Sequence, residues 1–96
     1  MIINLLRELE QEAVKRGIPI IGSVKGTWLH SKVKELQPKR VLELGTAVGY
    51  SGIILGSEGA ELTTVELEER AAAEARENFD KFRTNATVIV GNAAEE

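Results

Sequence analysis

The segment Val41–Ser51 constrains the fold of this chain most, because a short apolar run ends there in two closely spaced glycines. Residues 40–44 read Arg-Val-Leu-Glu-Leu, which predicts a strand, and residues 51 to about 55 predict the helix after it. Gly45 and Gly49 allow the turn between them to adopt backbone angles that a side chain forbids and to pass close to a ligand. The segment therefore predicts a strand, a glycine turn and a helix in that order.

The rest of the chain continues this alternation. The predicted elements are an amphipathic helix over 2–16, a helix from Ser23 or Gly26 to about Gln37 with Trp28, Leu29, Val33 and Leu36 as its buried stripe, strands over 61–66 and 86–90, and a helix from about Glu68 to Phe82. Strands separated by single helices favour right-handed crossovers and a parallel sheet. The predicted fold class is α/β, one domain over 1–96, with N-terminal helices over 1–37 and a three-stranded parallel β-α-β-α-β core over 38–96.

Composition narrows the class of protein. The hydrophobic share of 43% and the charged share of 28% predict a globular chain, and a net charge of −3 does not favour phosphate backbones or anionic lipid. The absence of cysteine excludes disulfides and thiolate metal sites. No apolar stretch approaches the roughly 18 residues of a membrane helix, and no targeting segment is visible. A cytoplasmic location without membrane contact is expected.

Two acids stand where chemistry is expected. Glu66 ends the second predicted strand, 21 residues past Gly45, where an acid can accept hydrogen bonds from ribose hydroxyls. Glu43 interrupts an apolar strand that is expected to be covered on both faces, so it needs a partner, either a ligand ammonium or an internal lysine or arginine. The turn and Glu66 together predict a nucleoside site. Two alternatives to a ligand site stay open. In the first, the glycines are required only for the conformation of the turn, and in the second, Glu66 is a solvated surface charge.

On a longer window, residues 41–51 resemble the first motif of Rossmann-type S-adenosylmethionine-dependent methyltransferases, and closely that of the catechol and caffeoyl-CoA O-methyltransferase family, in which Gly-Tyr-Ser completes the turn. Residues 20–26, 64–66 and 90–93 resemble further segments of that family in order. The resemblance covers residues 18–96 and implies a partial Rossmann-like methyltransferase fold that lacks the C-terminal half. A nicotinamide-binding turn would usually read Gly-x-Gly-x-x-Gly instead.

The resemblance also implies a site for S-adenosylmethionine or S-adenosylhomocysteine. By position, Ser51 would bind the methionine carboxylate, Glu43 and Gly45 would lie near the ammonium, and Glu66 would hold the ribose. The other implied cofactor-binding residues are Ile21 at the sulfonium end, Thr46, Ala47, Gly49 and Tyr50 in the turn, Leu67 after Glu66, and Gly91 with Asn92 and Ala93 beside the adenine.

The resemblance implies further that a divalent metal, Mg²⁺ in the full-length family, is held by an aspartate-rich segment that is absent here. No catalytic or metal-binding residue is therefore assigned, and the chain is expected to bind cofactor without turnover. A transfer RNA acceptor is an expectation only for a full-length parent. The alternatives are a half-Rossmann scaffold that oligomerises without a ligand and a nicotinamide-dinucleotide-binding fragment.

The same reasoning predicts association. In the doubly wound order the first strand is central, so without a fourth strand residues 40–44 become an edge. An apolar edge with unpaired backbone groups invites pairing with another chain. We therefore expect a homo-oligomer formed through the edge of the first strand.

Overall fold

The computed structural model describes residues 2–92, which form five helices and three strands. The elements are α1 (Ile2–Leu5), α2 (Arg7–Lys15), α3 (Gly22–Leu36), β1 (Arg40–Leu44), α4 (Tyr50–Leu55), β2 (Glu61–Glu66), α5 (Glu69–Lys81) and β3 (Ala86–Val90). The strands lie at the predicted residues, and the first predicted helix is divided at Leu6 into α1 and α2. None of the helices in this part of the chain is long and apolar enough to cross a membrane.

The three strands form one parallel sheet in the order β1-β2-β3. Glu43 of β1 lies beside Thr64 of β2, and Glu66 lies beside Val90 of β3. The strands therefore end together, and the residues that follow them meet at one edge of the sheet. The predicted fold class, a partial Rossmann-like α/β fold with three parallel strands behind N-terminal helices, is confirmed.

One face of the sheet carries the hydrophobic core. Leu62 and Val88 lie on this face, and they belong to the same buried cluster as Ile53 of α4 and Phe79 of α5. The N-terminal helices add Leu6 and Ala13 to that cluster. Because β1 connects to β2 through α4, and β2 to β3 through α5, crossovers of one hand bring both helices to this same face.

The opposite face explains where one expectation was wrong. Leu42 is 67% exposed and Leu44 is 63% exposed, whereas the sequence predicted a first strand covered on both faces. Neither α4 nor α5 reaches them, because both crossovers pass over the other side of the sheet. Within residues 2–92, β1 is an edge strand with an uncovered apolar face.

The predicted buried stripe of α3 was also wrong in part. Trp28 is 62% exposed and Leu36 is exposed, while Gly26, His30 and Val33 face the interior. The contact at Gly26 sets this rotation, because a Cβ atom there would lie only 3.1 Å from a side chain of α4. Positions four and seven residues later fall on the same side of a helix, and position 28 does not.

Candidate functional site

The turn after β1 has an unusual backbone. The φ angles are +87° at Gly45, +49° at Ala47 and +94° at Gly49, so three of five residues lie in the left-handed region. Ala47 is not a glycine, and this conformation is unfavourable for it. Such an alternation turns successive N–H groups toward one point. Here, the N–H groups of Thr46 and Ala47 both donate to Oε1 of Glu66, at 3.0 and 2.9 Å.

Glu66 is tied to the turn as one hydrogen-bonded unit. Its second oxygen, Oε2, accepts the N–H of Glu68 at 3.0 Å. Burial raises the pKa of Glu66, but the backbone donors of Glu68, Ala47, Thr46 and Leu67 together outweigh it, and the net pKa is lowered. An ionised carboxylate has about four acceptor positions, so these backbone donors leave at most about one, on Oε2.

A cavity of about 350 Å³ opens beside the turn. Six of the residues implied by the resemblance line it: Ile21, Gly45, Thr46, Ala47, Tyr50 and Ser51. Pro19, Ile20 and Lys25 also line it, although the sequence reasoning did not assign them to the site. They could have been identified from the sequence because they lie in or next to residues 20–26, one of the segments on which the resemblance rests. Lys25 adds a cation to a wall that is otherwise formed by backbone, hydroxyl and apolar groups.

Glu43 lies behind Ser51, and its partners are hydroxyl groups. Ser51 Oγ donates to Oε2 of Glu43, and Thr64 Oγ1 donates to Oε1 at 2.9 Å. Burial raises the pKa of Glu43, and the two hydroxyls offset this only in part. None of the ion pairs found among residues 2–92 involves Glu43, so the internal pair with lysine or arginine is not what the structure contains there. The sequence analysis did not assign Thr64 to the site. It could have been noticed as a polar residue in a strand that is expected to be buried.

Tyr50 connects the site to the N-terminal helices. Its ring is buried, it lines the cavity, and its hydroxyl donates to Glu10 Oε2 at 3.3 Å. Burial, the negative charge of Glu10 and this hydrogen bond raise the pKa of Tyr50 to about 12. Tyr50 therefore stays protonated at neutral pH and holds α2 against α4.

The other implied residues that the structure describes are not part of the lining of this cavity. Gly49 packs against Phe79, because a Cβ atom there would lie 3.2 Å from the ring. Leu67 is exposed at the end of β2. The N–H of Gly91 donates to the carbonyl of Glu66 at 2.9 Å, which keeps the end of β3 beside that of β2. Asn92 is exposed just after Gly91, and Ala93 lies outside the described residues.

A second cavity of about 520 Å³ adjoins the first. The two share Pro19 and Ala47 in their linings, and Glu66 lines the second. The two cavities therefore lie next to each other at the turn, with Ser51 in the lining of the first and Glu66 in that of the second.

Residues 2–92 contain no group of three histidine, cysteine, aspartate or glutamate side chains that could hold a metal ion. This part of the chain therefore does not fit a bound magnesium ion, and no chemical step is assigned to one.

The curated proteins that this chain resembles are O-methyltransferases, although no protein-family model matches the chain. The chain is 43% identical to the transmembrane O-methyltransferase of Homo sapiens over 83 residues, which are 78% of this chain and 28% of that protein. Its fold is similar to the O-methyltransferase TomG from Streptomyces achromogenes, solved in complex with S-adenosylmethionine, with a TM-score of 0.82 and 27% identity over 94% of this chain.

It is equally similar to an O-methyltransferase from Bacillus cereus in complex with S-adenosylhomocysteine, with a TM-score of 0.82 and 29% identity over 94% of this chain. The chain covers 44% of each of these two structures. It spans about a quarter to a third of the length of the curated relatives that it matches.

Proposed function

We propose that this chain, which belongs to the Rossmann-type O-methyltransferase family of catechol and caffeoyl-CoA type and matches its N-terminal half, binds S-adenosylmethionine or S-adenosylhomocysteine at the glycine turn. The observation that carries the proposal is the hydrogen bonding between the glycine turn and the carboxylate of Glu66. The N–H groups of Thr46 and Ala47 are bonded to Glu66, and a cavity of about 350 Å³ opens on the same turn.

The amino acid end of the ligand is assigned to the first cavity. Ser51 would donate to the methionine carboxylate, and Glu43, directly behind it, would accept from the ammonium. Lys25 lines the same cavity and would add attraction for the carboxylate. Ile21, also in the lining, would contact the sulfonium end. Charges of both signs suit a zwitterion better than a purely anionic phosphate ligand.

The nucleoside end is assigned to the ends of β2 and β3. The acceptor position left on Oε2 of Glu66 would take one ribose hydroxyl. Leu67, Gly91 and Asn92 follow the two strands and would border the adenine, and the same role is proposed for Ala93. The shared lining of the two cavities supports a single elongated ligand that passes the turn.

S-adenosylmethionine supplies an electrophilic methyl group when it is bound. Methyl transfer also requires an aligned acceptor oxygen and a group that takes its proton. We propose that these groups, and the magnesium site of the family, belong to the part of the fold that this chain does not match, since it covers 44% of its structural neighbours. On this proposal the chain binds cofactor without turnover on its own.

Isothermal titration calorimetry with S-adenosylhomocysteine and, separately, with NAD tests the proposal. We expect saturable binding of one S-adenosylhomocysteine per chain and no heat from NAD, because the turn lacks the central glycine that admits a pyrophosphate. Binding should weaken in Glu66→Ala and persist in Glu61→Ala, an exposed acid at the other end of the same strand. NAD binding without S-adenosylhomocysteine binding would favour the dinucleotide alternative.

A second candidate function rests on a different observation. Leu42 and Leu44 are exposed on an edge strand, which is the situation in which sheets pair with another chain. We propose that two copies associate through β1, with or without a ligand. Light scattering at about twice the chain mass of 10.5 kDa would support this, and a stable monomer would contradict it.

A further inference from the structure

Three hydroxyl groups form a chain that ends on the carboxylate of Glu43. Ser51 Oγ donates to Oε2, Thr64 Oγ1 donates to Oε1 at 2.9 Å, and Thr46 Oγ1 lies 2.6 Å from Thr64 Oγ1. Thr46 is 1% exposed and Thr64 is 0% exposed, so water cannot replace either hydroxyl. If one of these hydrogen bonds is lost, another group in the cluster or a ligand must therefore replace the missing partner.

The number of protons fixes the direction of the chain. A hydroxyl group carries a single proton to donate. Thr64 donates to Glu43, so Thr46 must be the donor in its bond to Thr64. Ser51 likewise directs its only proton to Glu43, although it lines the cavity. In this arrangement Ser51 has no proton for a ligand carboxylate.

We infer that Glu43 and Ser51 recognise the amino acid end of the ligand as one coupled unit, and that Thr64 is the positioning residue that fixes Glu43 in this unit. Ser51 can turn its proton to the ligand carboxylate only when the ligand ammonium replaces it on Oε2 of Glu43. Thr64 holds Oε1 throughout, so the carboxylate of Glu43 does not rotate during the exchange. This inference rests on the proposed function and adds the reason why both charged groups of the ligand are required together.

The exchange conserves hydrogen bonds only for a zwitterion. A ligand with a carboxylate but no ammonium would leave Oε2 of Glu43 without its donor and would bring two carboxylates together. A ligand with an ammonium alone can bind to the second acceptor position of Oε2 while Ser51 stays in place. The carboxylate should therefore strengthen binding much more when the ammonium is present.

A set of four adenosine thioethers measures this coupling by calorimetry. S-adenosylhomocysteine carries both groups, the aminopropyl thioether lacks the carboxylate, the carboxypropyl thioether lacks the ammonium, and the propyl thioether lacks both. We expect the affinity gained from the carboxylate to be roughly tenfold larger in the presence of the ammonium than in its absence. In Ser51→Ala, the ratio of the two gains should fall by at least roughly threefold, because the serine proton no longer links the two groups and only the repulsion between Glu43 and the ligand carboxylate remains.

Two variants of Thr64 test its positioning role. Thr64→Val should weaken the two ligands that carry an ammonium by roughly tenfold and leave the propyl thioether unchanged, whereas Thr64→Ser should restore the wild-type pattern. An equal loss for all four ligands in Thr64→Val would mean that Thr64 is only structural and would overturn its role. If Thr64→Val does not fold, the comparison of wild type with Ser51→Ala still decides the coupling.

The outcomes separate this inference from the function on which it rests. Binding of S-adenosylhomocysteine with independent contributions of its two charged groups would overturn the coupling and leave the cofactor site standing. Absence of binding by S-adenosylhomocysteine and the three analogues would overturn the proposed function, and the inference with it.

Discussion

Replacing Glu66 with alanine removes the group that joins the turn to β2. Its carboxylate accepts three backbone N–H groups at 2.9 to 3.0 Å, from Thr46, Ala47 and Glu68. A hydrogen bond to a charged group contributes roughly 1.5 to 3 kcal/mol, but Glu66 is only half-buried and water can replace part of each bond. We expect the free energy of unfolding to fall by about 2 kcal/mol in total, which lowers Tm by roughly 8 to 16 °C for a chain of this size.

Glu66→Ala should also weaken ligand binding, and this effect is separate from the loss of stability. If the remaining acceptor position of Glu66 takes a ribose hydroxyl, its loss should weaken S-adenosylhomocysteine binding by about 1.5 to 3 kcal/mol, or roughly ten- to hundredfold. Calorimetry at a temperature well below the Tm of the variant measures this loss on folded protein. Thermal unfolding followed by circular dichroism measures the stability term on the same samples.

Two controls separate these terms. Glu61→Ala removes an exposed acid from the same strand and should change neither Tm nor affinity. Glu66→Gln retains one oxygen for the turn but presents an amide in place of the second oxygen, so it should recover more stability than affinity. Wild-type affinity in a destabilised Glu66→Ala chain would refute the ribose assignment. An unchanged Tm would refute the stabilising role of the carboxylate in the turn.

Four further substitutions give distinct outcomes. Gly45→Val should abolish S-adenosylhomocysteine binding in calorimetry and also cost about 1 to 3 kcal/mol of stability in urea unfolding, because φ is +87° there. Because burial raises the pKa of Glu43, its contribution to stability is present below the unfolded value and is lost as pH rises through the folded value. Glu43→Gln should remove this loss, which urea unfolding between about pH 4 and about pH 7 would detect. Gly52→Ala should cost about 1 to 3 kcal/mol, since its Cβ atom would lie 2.8 Å from Phe79, and an unchanged urea midpoint would contradict this packing. Leu42→Lys should shift the chain toward monomer in light scattering, and a dimer that persists would exclude β1 from the contact.

The order of elements could be predicted because each has a local cause. The helix end at Gly17 follows from a cation-rich last turn and a glycine, which has a φ of +71° in the structure. The strands follow from short apolar runs bounded by turn residues, and they lie at the residues predicted. The glycine turn and Glu66 could be singled out because a strand end, a glycine pair and an acid are visible in sequence. The assignment of Ile21, Tyr50 and Ser51 to the site came from the resemblance to the methyltransferase family, and Pro19, Ile20 and Lys25 were not assigned.

Contacts between elements could not be predicted in the same way. The exposure of Trp28 depends on how closely α3 approaches α4 at Gly26, which is a distance in space rather than a periodicity. The partners of Glu43 depend on the register of β1 against β2, which brings Thr64 beside it. The sequence indicated that Glu43 needs a partner, but only the folded chain determines that the partner is a pair of hydroxyls.

The strain in the turn and the bonds of Glu66 are two parts of one arrangement. Ala47 in the left-handed region costs about 1 kcal/mol or more, and without compensation the turn would relax. The carboxylate of Glu66 compensates by holding the N–H groups of Thr46 and Ala47, so the turn is formed before a ligand arrives. A preformed turn lowers the entropy cost of binding, but it also leaves Glu66 at most about one acceptor position for a ligand. If the proposed function is correct, the affinity gained at the ribose should be limited to about one charged hydrogen bond. We then expect the discrimination among adenosine thioethers to come from the amino acid end, where we infer that Glu43 and Ser51 exchange partners.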